Sequence, residues 1–192
     1  MEAGDPEALE LWQWFKEISL AEFQRTYKLL NIDFDSWNGE AFYNDKMDAV
    51  IDELNEKKLL TESDGAQVVD LSEEEMPPRL ILKSDGSTLY ATRDIAAGLY
   101  RKNTYDFDKA IYVTDAGQSL HFKQWFTVIG KMGYDWSRDL VHVPYGKLSI
   151  NGTKLASRTG NVVLLRDLFA DAIERVRAIT LERNPSCENP DE

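Results

Sequence analysis

Three polar segments of this chain carry residue types that can bind or transform charged small molecules. The first, residues 89–94 (LYATRD), lets Tyr90 and Asp94 face one pocket if a helix begins near Thr92. A carboxylate near a helix start can hold a cationic group, and a phenol can add a directed hydrogen bond. The alternative is helix capping by Thr92 and Asp94, with Tyr90 in the core.

The second segment, residues 112–124 (YVTDAGQSLHFKQ), runs from the end of a strand through a glycine into a helix. Folds of the α/β class place ligand contacts at that point. Gln118, His121 and Gln124 lie three residues apart and share one helical face, which either lines a pocket or points to solvent. His142 lies in an apolar run, and we interpret it as a structural histidine.

The third segment, residues 154–161 (KLASRTGN), is basic, carries hydroxyl groups and ends near a glycine. The flexible side chains of Lys154 and Arg158 suit an anionic, moving target such as the phosphates of a nucleotide. A solvated surface loop is the alternative for this segment taken alone.

The elements that must position these segments alternate between strand and helix after a break at residues 76–78 (MPP). Strand, helix, strand, helix, strand predicts parallel β-α-β units with helices covering a sheet. The predicted elements are strand 79–83, turn 84–87, helix 91–103, strand 110–113, helix 117–132, strand 140–143 and helix 163–181.

The front of the chain reads as mainly helical. Asp5 is a good N-cap and Pro6 suits a first helical position, which predicts a helix over residues 5–30. Asn44-Asp45 predicts the cap of a second helix that runs through Glu53 or beyond. The first helix carries an apolar stripe that we expect to face a core: Leu9, Trp12, Phe15, Ile18, Phe23, Tyr27 and Leu30.

Charge divides the chain unevenly. Residues 1–77 hold 20 acidic and 6 basic side chains, whereas residues 78–192 hold 14 and 16, for a net charge of −12. An acidic front argues against general adhesion to nucleic-acid phosphates. We therefore predict a helical acidic segment over residues 1–77, an α/β part over residues 78–183, and a disordered tail over residues 184–192.

Composition narrows the class of protein further. The 192 residues are 43% hydrophobic and contain one cysteine, Cys187, and two histidines. These counts exclude an intrachain disulfide and make a metal site improbable, so none is predicted. We see no membrane span and no secretory signal, and we expect a cytoplasmic protein.

Taken together, the segments resemble the class I arginyl-tRNA synthetases. The matching stretches are Y-A-T-R-D, then Y-V-x-x-x-x-Q-S-L-H-F-K-Q, then V-P-Y-G followed by K-L-A-S-R-T-G-N-V-V-L-L; residues 35–40 and 63–66 fit as well. The resemblance spans about residues 5–190. It implies the second half of a Rossmann-like parallel-sheet catalytic domain, preceded by a mainly helical segment. It also implies a ligase that activates L-arginine with ATP, with Mg²⁺ expected, and transfers it to tRNA(Arg).

The resemblance also assigns roles to residues. Tyr90, Asp94 and Gln118 would line the arginine pocket, with Asp94 pairing with the substrate guanidinium. A planar cation with a fork of donors is well recognised by a carboxylate and neutral acceptors. His121 and Gln124 would lie near the substrate or the nucleotide, and we expect nucleotide contacts from them and from Lys154. The catalytic K-M-S-K-S-like loop would supply Lys154, Ser157 and Arg158.

Two departures from the family pattern shape the expectation. Ser157 stands where the pattern has its second lysine, and no H-I-G-H-type stretch occurs, since the histidines are His121 and His142. We therefore expect an incomplete and inactive part of a catalytic domain, whose exposed apolar faces favour self-association. The alternatives are a synthetase-like binding module without catalysis and, more weakly, a cysteine or methionine enzyme of the same class.

Overall fold

The computed structural model describes residues 5–88, 90–146, 149–150, 153–154, 164–187 and residue 189. Two compact units make up the chain, one formed by Asn38–Leu148 and the other by the segments on either side of it. Within these described ranges, no helix has both the length and the apolar character of a membrane span.

The main helices and strands follow in chain order. They are helix α1 (Pro6–Leu29), helix α2 (Met47–Glu56), strands β1 (Leu60–Ser63), β2 (Ala66–Val69) and β3 (Arg79–Leu82), helix α3 (Tyr90–Tyr105), strand β4 (Ala110–Asp115), helix α4 (Ser119–Lys131), strands β5 (Leu140–Tyr145), β6 (Ser149–Ile150) and β7 (Thr153–Lys154), and helix α5 (Leu165–Arg183).

Helix α1 begins where the sequence predicts it. Asp5 Oδ1 accepts a hydrogen bond from the backbone nitrogen of Glu7 at 3.1 Å, and a proline opens the helix. The prediction that its apolar stripe faces a core is wrong for this chain, because α1 has no buried residue. Leu9 and Phe23, two members of the stripe, are 40% and 52% exposed. Capping is local and forms the helix, whereas burial needs a facing layer that the described residues do not supply.

Helix α5 belongs to the same unit as α1 and buries no side chain either. Arg166 Nη1 lies 3.1 Å from Glu22 Oε1, an ion pair between two exposed side chains that contributes little stability. Strands β6 and β7 form a short antiparallel hairpin in which Ser149 lies opposite Lys154. This unit therefore has regular secondary structure without a core of its own among the described residues.

Helix α2 follows a 3-10 helical turn over Glu40–Lys46, so the predicted cap at Asn44-Asp45 is wrong. The N-cap position is Lys46, which makes no capping bond through its side chain. Asn44 Oδ1 instead accepts a hydrogen bond from Arg93 Nε at 3.0 Å. A long-range partner has taken the oxygen that local capping would use.

Strands β1, β2 and β3 form an antiparallel sheet in that order. Asp64 and Gly65 join β1 to β2 with φ angles of +52° and +77°, as a two-residue hairpin turn requires. Strand β3 pairs with β2, with Leu80 opposite Val68, and so does not join the parallel sheet that the alternating pattern predicts. This pairing runs across the predicted boundary at residue 77, so the change of composition there is no break in packing.

Strands β4 and β5 with helix α4 between them form the predicted parallel β-α-β unit. Tyr112 of β4 lies opposite His142 of β5, and Gly133, with φ +91°, turns the chain after α4. Trp125 and Ile129 of α4 are 1% and 0% exposed. Helix α4 is thus the centre of the core, which also takes in Leu54 of α2, Val69 of β2, Ile81 of β3, Ile95 of α3 and Leu140 of β5.

The two faces of the β4–β5 pair differ sharply. On the inner face, the Phe122 ring of α4 stacks on His142 with centroids 4.4 Å apart, in keeping with a structural histidine. On the outer face, Ile111 and Val113 are 59% and 62% exposed. Parallel sheets are usually covered on both faces, so this strand pair is half of the usual arrangement.

Candidate functional site

The site lies where the first turns of α3 and α4 approach each other beside β3. The buried hydroxyl of Thr92 donates to the backbone oxygen of Ile81 at 2.7 Å, which fixes the start of α3 against β3. Thr92 therefore holds α3 in place from within the helix rather than capping it. This anchor sets where Tyr90 and Asp94, on the first turns of the same helix, meet the residues of α4.

Tyr90 and Gln118, predicted to act together, are in direct contact. The Tyr90 hydroxyl donates to Gln118 Oε1 at 2.8 Å. The phenol ring stacks on the His121 imidazole with centroids 4.4 Å apart and planes inclined by 17°. Tyr90 is 44% exposed, so the alternative that buries it in the core is wrong. Partial burial raises the pKa of the Tyr90 hydroxyl, and the negative charge of Asp94 acts in the same direction.

Asp94 contributes the carboxylate of the site. Its Oδ2 lies 2.7 Å from His121 Nε2, and its side chain remains 31% exposed. Within the described residues, its second oxygen Oδ1 makes no hydrogen bond. Asp94 therefore bonds to a side chain of another helix rather than capping its own, and its side chain stays partly exposed.

Arg79, at the start of β3, is the member of the site that the sequence did not reveal. Its Nη2 lies 2.6 Å from His121 Nδ1, and its Nη1 donates to Gln124 Oε1 at 3.0 Å. An arginine directly before the apolar residues 80–82 was the available signal, because a charge entering a buried strand needs partners. The sequence of the strand does not identify those partners.

Gln124 supports the site from below. Its side chain is buried, with 5% exposure, and its Nε2 donates to the backbone oxygen of Pro77 at 2.8 Å. The nucleotide contact expected of Gln124 stays a prediction, and the described side chain is bonded to Arg79 and Pro77. The same holds for His121, whose two ring nitrogens contact Arg79 and Asp94 in this structure.

The predicted nucleotide loop falls largely outside the described residues. Strand β7 includes the backbone of Lys154, whose side chain is not described, and Ser157 and Arg158 lie in the undescribed stretch 155–163. The assignment of these three residues to phosphate binding and catalysis stays a prediction.

The described cluster has the chemistry of a cation-binding surface. Its exposed polar groups are one carboxylate oxygen of Asp94, the Tyr90 phenol and the Gln118 amide. These groups offer one negative charge beside neutral hydrogen-bonding atoms, the set that suits a planar, fork-shaped cation. Two surface cavities of about 290 and 400 Å³ are lined by other residues of the chain. Among the described residues, no group of three or more His, Cys, Asp or Glu is placed to hold a metal ion.

Known proteins with similar sequences are arginine–tRNA ligases. The chain is 55% identical to the enzyme named arginine–tRNA ligase of Alkaliphilus metalliredigens and 57% identical to that of Clostridioides difficile, in each case over its whole length. It spans 34% of the length of each of these relatives.

Solved structures agree with the sequence relatives. The arginyl-tRNA synthetase of Plasmodium falciparum superposes with a TM-score of 0.81 at 32% identity, covering 95% of this chain and 30% of that one. The Thermus thermophilus arginyl-tRNA synthetase shares the fold, with a TM-score of 0.71 at 19% identity over 97% of this chain and 40% of that one. The family described as tRNA synthetases class I (R), catalytic domain, matches residues 1–192. The chain therefore belongs to the catalytic-domain family of the class I arginyl-tRNA synthetases.

Proposed function

We propose that Tyr90, Asp94 and Gln118 bind the side chain of L-arginine, in a protein that activates this amino acid with ATP and transfers it to tRNA(Arg). The observation that carries the proposal is the partly exposed Asp94 carboxylate, which His121 holds through Oδ2 while Tyr90 and Gln118 bond each other nearby. The names of the relatives, arginine–tRNA ligases, point to the same substrate.

Selectivity for arginine over lysine follows from the shape of the two cations. A guanidinium presents several N–H donors in one plane, whereas an ammonium presents three donors from a single nitrogen. A surface with acceptors on Asp94 and Gln118 can accept hydrogen bonds from several of these coplanar N–H groups at once. A bound lysine would leave acceptors of the site unpaired, which costs binding.

The nucleotide half of the reaction is assigned to the basic loop. Lys154 and Arg158, with Ser157 between them, would stabilise the charge that develops on the phosphates of ATP, with Mg²⁺ held by those phosphates. Electrostatic stabilisation of this kind needs cationic donors aimed at the developing charge, and this segment contains a lysine and an arginine. His121 belongs with the arginine side in this proposal, because its ring nitrogens face Arg79 and Asp94.

Binding of L-arginine to the 192-residue chain tests the proposal. We expect the backbone NMR signals of Tyr90, Asp94 and Gln118 to shift on titration with L-arginine and much less with L-lysine. Asp94→Asn should weaken L-arginine binding by about tenfold or more, since hydrogen bonds to charged groups contribute roughly 1.5–3 kcal/mol.

The matched control is Asp85→Asn. Asp85 is exposed in the turn after β3 and, among the described residues, its side chain bonds Ser87 alone, so its loss should leave L-arginine binding unchanged. Equal losses in the two variants would show a general charge effect and remove Asp94 from its role.

Catalysis is tested separately by arginine-dependent exchange of pyrophosphate into ATP. We expect no exchange from the 192-residue chain, because its sequence has no H-I-G-H-type stretch. Robust exchange would show that the residues present are sufficient for arginine activation.

A further inference from the structure

Arg79 poses an electrostatic problem. Its guanidinium is a permanent cation beside a surface proposed to bind another guanidinium, so its charge opposes the substrate. Burial lowers the pKa of Arg79, and the charges of Tyr90 and Asp94 oppose that shift. A partly buried cation at this position must therefore make a favourable contribution that outweighs its repulsion of the ligand.

The hydrogen bonds of Arg79 define the state of His121. A guanidinium has N–H donors and no acceptor, so the contact between Arg79 Nη2 and His121 Nδ1 requires a lone pair on Nδ1. The proton of the neutral imidazole must then be on Nε2, which donates it to Asp94 Oδ2 at 2.7 Å. The pair of His121 and Asp94 is thus a neutral donor on a carboxylate and not an ion pair.

The orientation of Asp94 depends on that proton. With the other tautomer, the Nε2 lone pair would face Oδ2 and repel it. With a doubly protonated ring, the imidazolium would pair with Asp94 and compete with a cationic ligand. The groups that face His121 are Arg79 from β3, and Tyr90 and Asp94 from α3. Of these, only the Arg79 side chain is bonded to Nδ1 among the described residues.

A purely structural role for Arg79 explains fewer of its contacts. Arg79 also joins β3 to α4 through Gln124, but Gln124 is already tied to the segment before β3 by its bond to Pro77. The contact with His121, at 2.6 Å, is the shorter of the two bonds that Arg79 makes. A tie between the two elements would not need a donor aimed at an imidazole nitrogen.

We propose that Arg79 is a positioning residue for arginine recognition: it holds His121 in the neutral Nε2–H tautomer, and His121 in turn holds the Asp94 carboxylate for the substrate. The relay runs from Arg79 Nη2 to His121 Nδ1 and from His121 Nε2 to Asp94 Oδ2. Its role in recognition rests on the proposed function, whereas the tautomer does not.

Nitrogen NMR of the histidine rings tests the relay directly in the ligand-free 192-residue chain. The chain has two histidines, so a His142→Gln variant assigns the signals of His121. We expect Nδ1 of His121 to resonate as an unprotonated nitrogen and Nε2 as a protonated one. A proton on Nδ1 in the unaltered chain would overturn the proposal before any variant at position 79 is made.

The decisive variant is Arg79→Met, which keeps an unbranched side chain and removes the donor. We expect the Nε2–H pattern to give way to the other tautomer or to the doubly protonated ring. Arg79→Lys should restore the pattern, because an ammonium can still donate to Nδ1. An unchanged tautomer in Arg79→Met would show that Asp94 alone sets it and would reduce Arg79 to packing.

Arg93→Met is the matched control. Arg93 precedes Asp94 in the chain, but its guanidinium bonds Asn44 and Glu40 and not His121. The same substitution there should leave the His121 signals unchanged. If Arg93→Met altered the tautomer as much as Arg79→Met, the effect would be general electrostatics and the relay would be wrong.

Titration with L-arginine separates this inference from the proposed function. We expect Arg79→Met to bind L-arginine about tenfold more weakly than the unaltered chain. A changed tautomer with unchanged affinity would remove Arg79 from recognition while Asp94 keeps its role. No binding of L-arginine by the unaltered chain would contradict the proposed function and the recognition role together, while the ring signals still decide the relay.

Discussion

The unit formed by Asn38–Leu148 and the two helices α1 and α5 differ in one physical respect, the presence of a facing layer. In the first, side chains from α2, α3, α4 and the strands enclose Trp125 and Ile129. In the helices α1 and α5, no residue is buried. All of these segments form regular secondary structure, so the comparison separates what local signals achieve from what packing achieves. Every described side chain of the proposed arginine site lies in the packed unit.

The same contrast recurs within the β4–β5 pair. Its inner face packs on α4, whereas Ile111 and Val113 on its outer face stay more than half exposed. The site residues belong to the side that α4 covers, where Tyr90, Asp94 and Gln118 are held by neighbours from other elements. A rigid support is what a binding surface needs if its hydrogen bonds are to be aimed before the ligand arrives.

The largest effect should come from truncating the centre of the core. Trp125→Ala should lower the free energy of unfolding by about 3–5 kcal/mol, because it removes a large buried ring. Trp14→Ala makes the same change on α1, where the ring is 54% exposed, and should cost about 0.5 kcal/mol or less. Urea denaturation followed by far-UV circular dichroism measures both variants. Similar losses would show that α1 is packed in solution and would end the comparison.

A smaller loss is expected from the hydroxyl that anchors α3. Thr92→Val should cost about 1–3 kcal/mol, because it leaves the buried backbone oxygen of Ile81 without its donor. Thr127→Val is the control, since the Thr127 hydroxyl bonds Lys123 of its own helix near solvent. Chemical denaturation should rank the two variants in that order, and a reversed order would contradict the anchoring role.

The rim of the packed unit should show a pH effect. Burial, with a hydrogen bond to Glu53, raises the pKa of Tyr134 from its ordinary value of 10.0 to about 12. Between those two values the unfolded chain gives up the phenolic proton while the folded chain keeps it. The stability that Tyr134 contributes is therefore fully present below pH 10 and is lost as the pH rises toward 12.

Tyr134→Phe isolates this contribution. The difference in unfolding free energy between the unaltered chain and the variant should shrink by about 1 kcal/mol from pH 9 to pH 12, after allowance for partial exposure. Denaturation midpoints at several pH values measure the difference. A difference that stays constant with pH would show that folding does not raise the pKa of Tyr134 through burial and the bond to Glu53.

The smallest effect on stability, and a visible effect on association, is expected on α1. We predict that the chain self-associates through its open apolar faces, since contiguous exposed apolar surface favours contact. Phe15, 54% exposed, is a member of that surface, so Phe15→Ser should shift sedimentation toward the monomer and change stability by about 0.5 kcal/mol or less. Lys16→Ser, at the next position, is the control and should leave sedimentation unchanged.

Local signals predicted much of the secondary structure. The cap at Asp5, the glycine after α4 and the alternation of apolar runs gave helices and strands close to those observed. The errors at Asn44 and β3 have a common cause. Arg93 takes the oxygen of Asn44 from a distant part of the chain, and β2 pairs with β3 across a segment that looks like a boundary. Neither partner could be inferred from neighbouring residues.

The site was predicted in part for the same reason. Tyr90, Asp94 and Gln118 belong to short motifs, and the structure brings them together with His121. The burial of Gln124 and the part played by Arg79 were not predicted, because both depend on how β3 lies against α4. A polar stripe at three-residue spacing does not say which of its members point inward.

The sequence by itself determined the family, the order of the main helices and of strands β3, β4 and β5, and the residue types of the proposed cation-binding surface, since these are encoded in motifs and local periodicity. The tertiary structure alone decided which apolar faces are buried and which groups contact the two ring nitrogens of His121. Burial and these contacts are set by partners brought in from distant positions, such as Arg79 forty-two residues before His121. Such contacts exist only once the strands and helices have packed.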